Sequence, residues 1–408
     1  MSSPLSLIVR HQRTTFLIAS GLSTAGSFAG ITAKGWILMH GSNNPLMLAL
    51  HFGALALPTL LVSGLAGVWT DRLGCEKILI RAQWGLCFGA ALGAVAIPLL
   101  QGGAQVALLL LSTFIVGLAS SFELTARNKY CALLVDEPAQ LPPYLTSFSV
   151  VFNVGKLVGP PLGGWLLALT GPTSALAIDA ASYLLPIATV IWLLHPHRER
   201  EQRSGAGSRG SLGSAWRECG GGLRHVLFFT GVACLVGFFH PGLAPLMASQ
   251  LVGSSPQDLG IFTSVIAVGS ISCGVILQRN SAWLSLRPGL LLGVCTLLTA
   301  LAQLGMALAL NQAFSLAMAL LIGAGTAGLL AGSNLVTQVA APVALRGRMA
   351  GMGQIAFLGG GGLSGLLAAS LSLSIGLRAT FALLGGLGLA LGAWELARNG
   401  HRRLLPVT

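Results

Sequence analysis

The chain has 408 residues, of which 54% are apolar, a further 55 are Gly and only 8% are charged, against about 25% charged in an ordinary soluble domain. With a mean hydropathy of +0.79, that little charge cannot coat a soluble protein of this size, which excludes a conventional soluble enzyme, a secreted domain and a disordered chain. The net charge of +12, from 23 basic and 11 acidic residues, fits the basic inner loops of a membrane protein better than a nucleic-acid partner.

Apolar segments fall at 14–39, 45–69, 78–100, 104–125, 144–169, 173–195, 224–248, 256–278, 288–309, 313–338, 350–374 and 376–398. Each has the roughly 20 residues that a transmembrane helix needs. The expected fold is therefore an all-α integral membrane protein with twelve transmembrane helices. Arg10 and Arg13 precede an apolar run too long for a signal peptide, so the first run is read as a retained helix. Lys34 lies near the outer end of span 1, where snorkelling beside Trp36 accommodates its charge; the alternative is a substrate role shared with His51 of span 2. Asn43-Asn44-Pro45 reads as a helix cap followed by proline in the first turn.

Gly67, Asp71, Arg72, Gly74 and Lys77 fall between spans 2 and 3. A carboxylate placed there can accept from free N–H groups at the start of the next helix. In span 4, Glu123 and Arg127 are spaced i, i+4, as in an ordinary helical ion pair, and Glu123 is also a candidate to carry a coupling proton. In span 5, Ser149, Asn153 and Lys156 share a helical face. Lys156 lies about 12 residues into the span, roughly 18 Å deep, beyond the reach of snorkelling. A charge at that depth needs water or a partner, so the face is read as cavity lining with Lys156 opposite an anionic substrate group. A structural ion pair is the alternative. Gly155, Gly159, Gly163 and Gly164 supply small residues for close helix approach, and Pro160-Pro161 should kink the helix.

Gly171-Pro172 marks a tight outer turn. Asp179 in span 6 is either the partner of Lys156, at a depth difference of roughly 10 Å, or a carboxylate that titrates during transport. The stretch from Pro196 to Gly222 is polar, Gly/Ser-rich and charged, like a flexible linker. The expected organisation is a six-helix half at 1–195, a cytoplasmic linker at 196–223 and a second six-helix half at 224–408. His240, before Pro241 in mid-span 7, is a candidate substrate or proton-handling residue. Ser254-Ser255-Pro256 repeats the cap-and-proline pattern.

With the N-terminus inside, only Lys34, Lys156 and Arg378 of the 23 basic residues lie away from the inner loops and rims, leaving 20 there. That bias places both termini in the cytoplasm. The halves also resemble each other. Gly67 to Arg72 matches Gly274 to Arg279, Ile115-Val-Gly117 matches Leu321-Ile-Gly323, and Gly159 to Gly164 matches Gly360 to Gly365. Three matches in order and at similar spacing indicate an internal duplication, the layout of many secondary transporters.

The seven cysteines are scattered without CxxC or metal spacing, so neither a disulfide framework nor a metal site is expected. Gly360-x-Gly362-x-x-Gly365 has dinucleotide-fingerprint spacing, but it lies in an apolar helix with no strand before it. There is no P-loop lysine motif, HExxH or nucleophile elbow. Neither an enzyme nor a cofactor is expected.

Gly67-x-x-x-Asp71-Arg72-x-Gly74-x-x-Lys77 resembles the signature loop of the major facilitator superfamily, and the resemblance extends along the whole chain. Gly155 to Gly164 is similar to the span 5 motif of its exporter branches. With Leu345-Arg346-Gly347-Arg348-Met349 and the stretch from Gly117 to Arg127, it resembles the branch of enterobactin-type siderophore exporters and macrolide efflux pumps. The chain departs from the antiporter pattern in having no acid in span 1 and Thr113 where span 4 usually carries arginine. The resemblance implies alternating access, with the Asp71-Arg72 loop as a cytoplasmic gate. It implies a monomeric inner-membrane exporter of a small amphipathic molecule, proton-coupled through Asp179 or His240. The excess of basic groups within spans (Lys34, Lys156, His240) favours an anionic, siderophore-like substrate. Broad drug or macrolide efflux and lysophospholipid flipping are the alternatives.

Overall fold

A computed structural model describes residues 4–42, 44, 46–135, 141–193, 216–284, 286–340 and 346–402. Without water to satisfy backbone groups, apolar segments of this length must be helical, and the described residues are all-helical with no strands. The first unit contains α1 (Pro4–Ser42), most of α2 (Leu46–Leu73), α3 (Cys75–Leu99), α4 (Gly102–Leu133), α5 (Leu141–Ser182) and α6 (Leu184–Ala188). The second contains α7 (Gly221–Gly237), α8 (His240–Leu251), α9 (Pro256–Arg279), α10 (Pro288–Leu308), α11 (Gln312–Ala340), α12 (Arg346–Ile375) and α13 (Leu377–Asn399). Among the described residues, nine helical segments are long and apolar enough to cross a membrane. One of them, Val150–Ile191, is divided at Gly171, whose φ of 80° and ψ of 173° are not helical.

The chain forms two compact units, Met1–Asn43 with Ala54–Gly207 and Asn44–Gly53 with Ser208–Thr408. In the first, α1 packs along α5, and α3 packs on both α4 and α5. In the second, α7 packs on α12, α9 on α11, and α10 on both α11 and α13. The exteriors carry large apolar side chains, with Leu61 71%, Leu169 78% and Phe228 68% exposed. Water would penalise such surfaces by about 25 cal/mol per Å², whereas lipid does not.

The repeat seen in the sequence has a geometric counterpart. A Cβ on Gly117 would strike the backbone of Leu55 in α2, and a Cβ on Gly323 would strike that of Ile266 in α9. A Cβ on Gly159 would meet the Ala25 carbonyl of α1, and one on Gly360 the Gly231 carbonyl of α7. Gly171 and Gly376, at φ 80° and 83°, turn the chain into the last long helical segment of each unit. That pair was not among the sequence matches.

Several sequence expectations are corrected. Asp71 and Arg72 are not on a loop before span 3. The last turn of α2 holds them, and Gly74 alone, at φ 92°, makes the connection to Cys75. Pro160 and Pro161 leave α5 helical, and the non-helical residue is Gly171. The seventh span is not continuous, because Phe238 and Phe239 interrupt it between α7 and α8. Helix α7 begins at Gly221, earlier than expected, whereas residues 196–215 of the expected linker, together with residues 194–195 of the expected sixth span and Asn43, Pro45 and Leu345, lie outside the described residues. Of the two caps, Asn44 Oδ1 accepts from the Leu46 N–H at 2.9 Å. Ser255 forms a full capping box with Asp258, an acidic partner the sequence reading had not singled out.

Candidate functional site

Two polar centres lie in the first unit. One joins α1, α3, α4 and the part of α5 after Gly171. Lys34 is 2% exposed and donates to Ser112 Oγ at 2.9 Å. Ser112 in turn donates to the Gly89 carbonyl at 2.6 Å. A Cβ on Gly93 would touch the end of the Lys34 side chain, and one on Gly30 would collide with the Asp179 carboxylate. The two charges act on each other electrostatically. Asp179 is 3% exposed, and its Oδ1 lacks a hydrogen-bond partner. The Tyr183 hydroxyl is near Asp179 and Ser27 without a well-aligned hydrogen bond.

Two expectations change here. Lys34 does not snorkel to the outer rim beside Trp36. Glycines at 30, 89 and 93 let α1, α3, α4 and α5 approach closely enough to enclose it. Asp179 faces Lys34 rather than Lys156, as the depth difference between Asp179 and Lys156 already disfavoured a pair. Ser112 left no sequence signal. Tyr183 did: it lies one helical turn after Asp179.

The second centre joins α3, α4 and α5. Arg127 and Glu123 form an ion pair at 2.8 Å, and Gln83 donates to Glu123 at 3.1 Å. Arg127 also lies over the rings of Phe148 and Phe152, 5.3 and 4.2 Å from their centroids. Lys156 Nζ lies 4.4 Å from the Phe152 centroid. Two cations thus share one aromatic ring, which a ring quadrupole tolerates, and the Glu123 carboxylate pairs with Arg127. Among the described residues no carboxylate pairs with Lys156. The Arg127 Nε lacks a hydrogen-bond partner.

On α5, Gly155, Gly159 and Gly163 lie against α1, Gly164 is buried, and Val154, Val158 and Leu162 are exposed. Asn153 and Lys156 occupy a third, half-buried face. The side chains of Ser149 and Asp71 and the surroundings of Gly67 lie outside the described residues. Arg72 and Lys77 are exposed and Gly74 is buried.

In the second unit His240 opens α8 and is 8% exposed, with the Phe238 ring edge-on at 5.1 Å and its Nδ1 unpartnered. His51 is fully buried against Phe52, ring centroids 5.2 Å apart. Sequence reasoning missed a third cluster. His225 is 2.9 Å from Glu395, and Asn399 donates to the same carboxylate at 3.0 Å. The i, i+4 spacing of Glu395 and Asn399 was its available signal. No group of three or more His, Cys, Asp or Glu among the described residues could hold a metal.

Duplicated helical units with lipid-type exteriors and charges enclosed between helices define a polytopic membrane transporter of the major facilitator type. The chain belongs to the Transmembrane secretion effector family of that superfamily, which it matches over residues 2–400. It is 27% identical over 387 residues to the "Multidrug efflux pump Tap" of Mycolicibacterium fortuitum, covering 90% of both chains. It is 24% identical over 233 residues to "Multidrug resistance protein 1" of Bacillus subtilis, covering 56% of each. The solved nucleoside transporter NupG superposes with a TM-score of 0.72 at 12% identity, over 95% of this chain and 99% of that one, a likeness of fold. These relatives are transporters rather than enzymes, and they favour drug efflux over the siderophore export expected first.

Proposed function

We propose that the chain is a multidrug efflux pump of the bacterial cytoplasmic membrane, working by alternating access with both termini inside. Twelve spans in two six-helix halves are part of this reading. The observation that carries it is the end-to-end similarity to Tap, at 90% of both chains. The orientation rests on the basic bias of the inner loops.

Proton coupling is assigned to Asp179. It is a carboxylate within a span, enclosed by helices and opposite the Lys34 ammonium. Intramembrane ionisable groups of this kind are expensive and mark ion pathways. Exchanging a proton for the Lys34 interaction would give that centre two charge states, and substrate could favour one of them. The test uses everted membrane vesicles energised by respiration, following ethidium movement. Asp179→Asn should abolish accumulation while the protein remains folded, and a protonophore should collapse it in the wild type. Undiminished accumulation in either case removes the coupling assignment.

One observation favours a second reading of the substrate. Lys156, half-buried and beside Arg127, has no paired carboxylate among the described residues. That would suit an organic anion such as a siderophore. Carboxyfluorescein uptake into the same vesicles, lost in Lys156→Ala while ethidium movement persists, would support it.

A further inference from the structure

We propose that the second unit holds a sodium site at the break between α7 and α8. The site is a small cavity lined by Val236, Gly237, Thr296, Thr299, Gln303 and Gly388, among others, with about 10 Å³ of free space, room for one water-sized particle. Gln303 is fully buried, and its Oε1 has no hydrogen-bond partner. An unpartnered amide oxygen in an apolar interior is costly, so the site is poised for a ligand that accepts lone pairs.

The other groups suit a cation. Val236 and Gly237 end α7, where backbone carbonyls carry the negative end of the helix dipole. Transporters use such half-helix ends to bind small cations. Gln303 Nε2 reaches both carbonyls at 3.4 Å, longer than a good N–H···O bond. A half-turn of the amide would break only these weak contacts and turn Oε1 toward the same carbonyls. Thr296 donates its hydroxyl proton to the Leu292 carbonyl, which leaves oxygen lone pairs free, whereas Thr299 turns its Cγ2 toward Gly237 and its Oγ1 toward Gly325. Among the described residues no carboxylate lines the cavity, so a divalent ion would lack compensating charge. The confined space favours sodium over potassium.

The duplication supports the assignment independently. Tyr183 lies twelve residues after Gly171, and Gly388 twelve after Gly376. In the first unit this position carries a buried tyrosine beside the Lys34–Asp179 centre. In the second the ring is replaced by hydrogen, and the cavity lies there. The region that encloses a covalently attached ammonium in one unit is lined by neutral oxygens in the other.

The test is thermal unfolding of the purified full chain in detergent, followed by tryptophan fluorescence in equimolar NaCl, KCl or choline chloride, with binding of radioactive sodium measured on the wild type. Binding should raise the midpoint in NaCl alone by about 2–4 °C. Gln303→Leu and Thr296→Val should lose that increment. Radioactive sodium should bind the wild type and be displaced by unlabelled sodium but not potassium, a readout that stands even if the variants fail to fold. Identical midpoints in the three salts with no sodium bound would overturn the proposal and leave the cavity to a single water. Neither readout requires transport, so the result is separable from the efflux assignment.

Discussion

The Lys34–Asp179 centre allows the sharpest test by mutation. Lys34→Met removes the ammonium but keeps the length of the side chain, leaving the Asp179 carboxylate enclosed at 3% exposure. Breaking a buried contact ion pair costs about 3–5 kcal/mol, because the remaining charge is unsatisfied; Lys34 and Asp179 interact without a direct salt bridge, so the lower end, about 3 kcal/mol, applies. Asp179→Asn strands Lys34 in the same way, though Ser112 still accepts its hydrogen bond. For a unit of this size, 3 kcal/mol corresponds to a midpoint about 6–12 °C lower. Removing both charges removes the stranded charge as well, so Lys34→Met/Asp179→Asn should be more stable than either single variant, which requires a coupling energy of about 3 kcal/mol or more. The measurement is a thermal double-mutant cycle on detergent-solubilised protein. Additive losses would mean that the two groups do not interact, and both the paired centre and the coupling assignment built on it would fail.

Other positions give independent checks. Gly159→Val and Gly163→Val place a branched side chain against the backbone of α1, and each should destabilise by about 1–3 kcal/mol. Gly386→Ala, with nothing within 4 Å of its added Cβ, should be neutral or stabilise α13 by up to about 1 kcal/mol; equal effects at Gly159 and Gly386 in unfolding assays would contradict the packing described. Glu123→Gln leaves Arg127 buried at 4% exposure without its carboxylate and should lower the midpoint by about as much as Lys34→Met. His225→Ala should cost less, about 1–2 kcal/mol, since the histidine side chain is 34% exposed and solvent screens its interaction with Glu395.

The sequence made the architecture legible because lipid imposes one rule on every span: an apolar run of bilayer length must be a helix. The duplication was visible for a related reason, since close helix approach demands glycine and glycine leaves a readable pattern at 117 and 323 or at 159 and 360. Side-chain pairing was less legible. Lys34 and Lys156 were assigned by depth along a helix, and depth says nothing about rotation. Position near the end of span 1 makes Lys34 read as a rim residue, yet its face of α1 points at α3 and α4. The interruption at Phe238–Phe239 was hidden because both residues are apolar and neither is Gly or Pro. Gln303, a lone amide in an apolar span, is a signal visible in the sequence.

The contrast between the units follows from the residues that differ at equivalent places. Duplication preserved the glycines that fix helix approach, since a Cβ at any of them would meet backbone. It did not preserve the groups those helices enclose. Tyr183 stands beside a carboxylate and an ammonium in the first unit, whereas its counterpart Gly388 lines a neutral cavity in the second. A charged centre responds to protons because one proton changes its net charge. A cavity of carbonyl, amide and hydroxyl oxygens has no such response and can respond only to a bound ion. Ion handling should therefore divide between the units, with proton dependence lost in Asp179→Asn and sodium dependence lost in Gln303→Leu. If either substitution abolished both dependences while the protein remained folded, the two centres would be one coupled site.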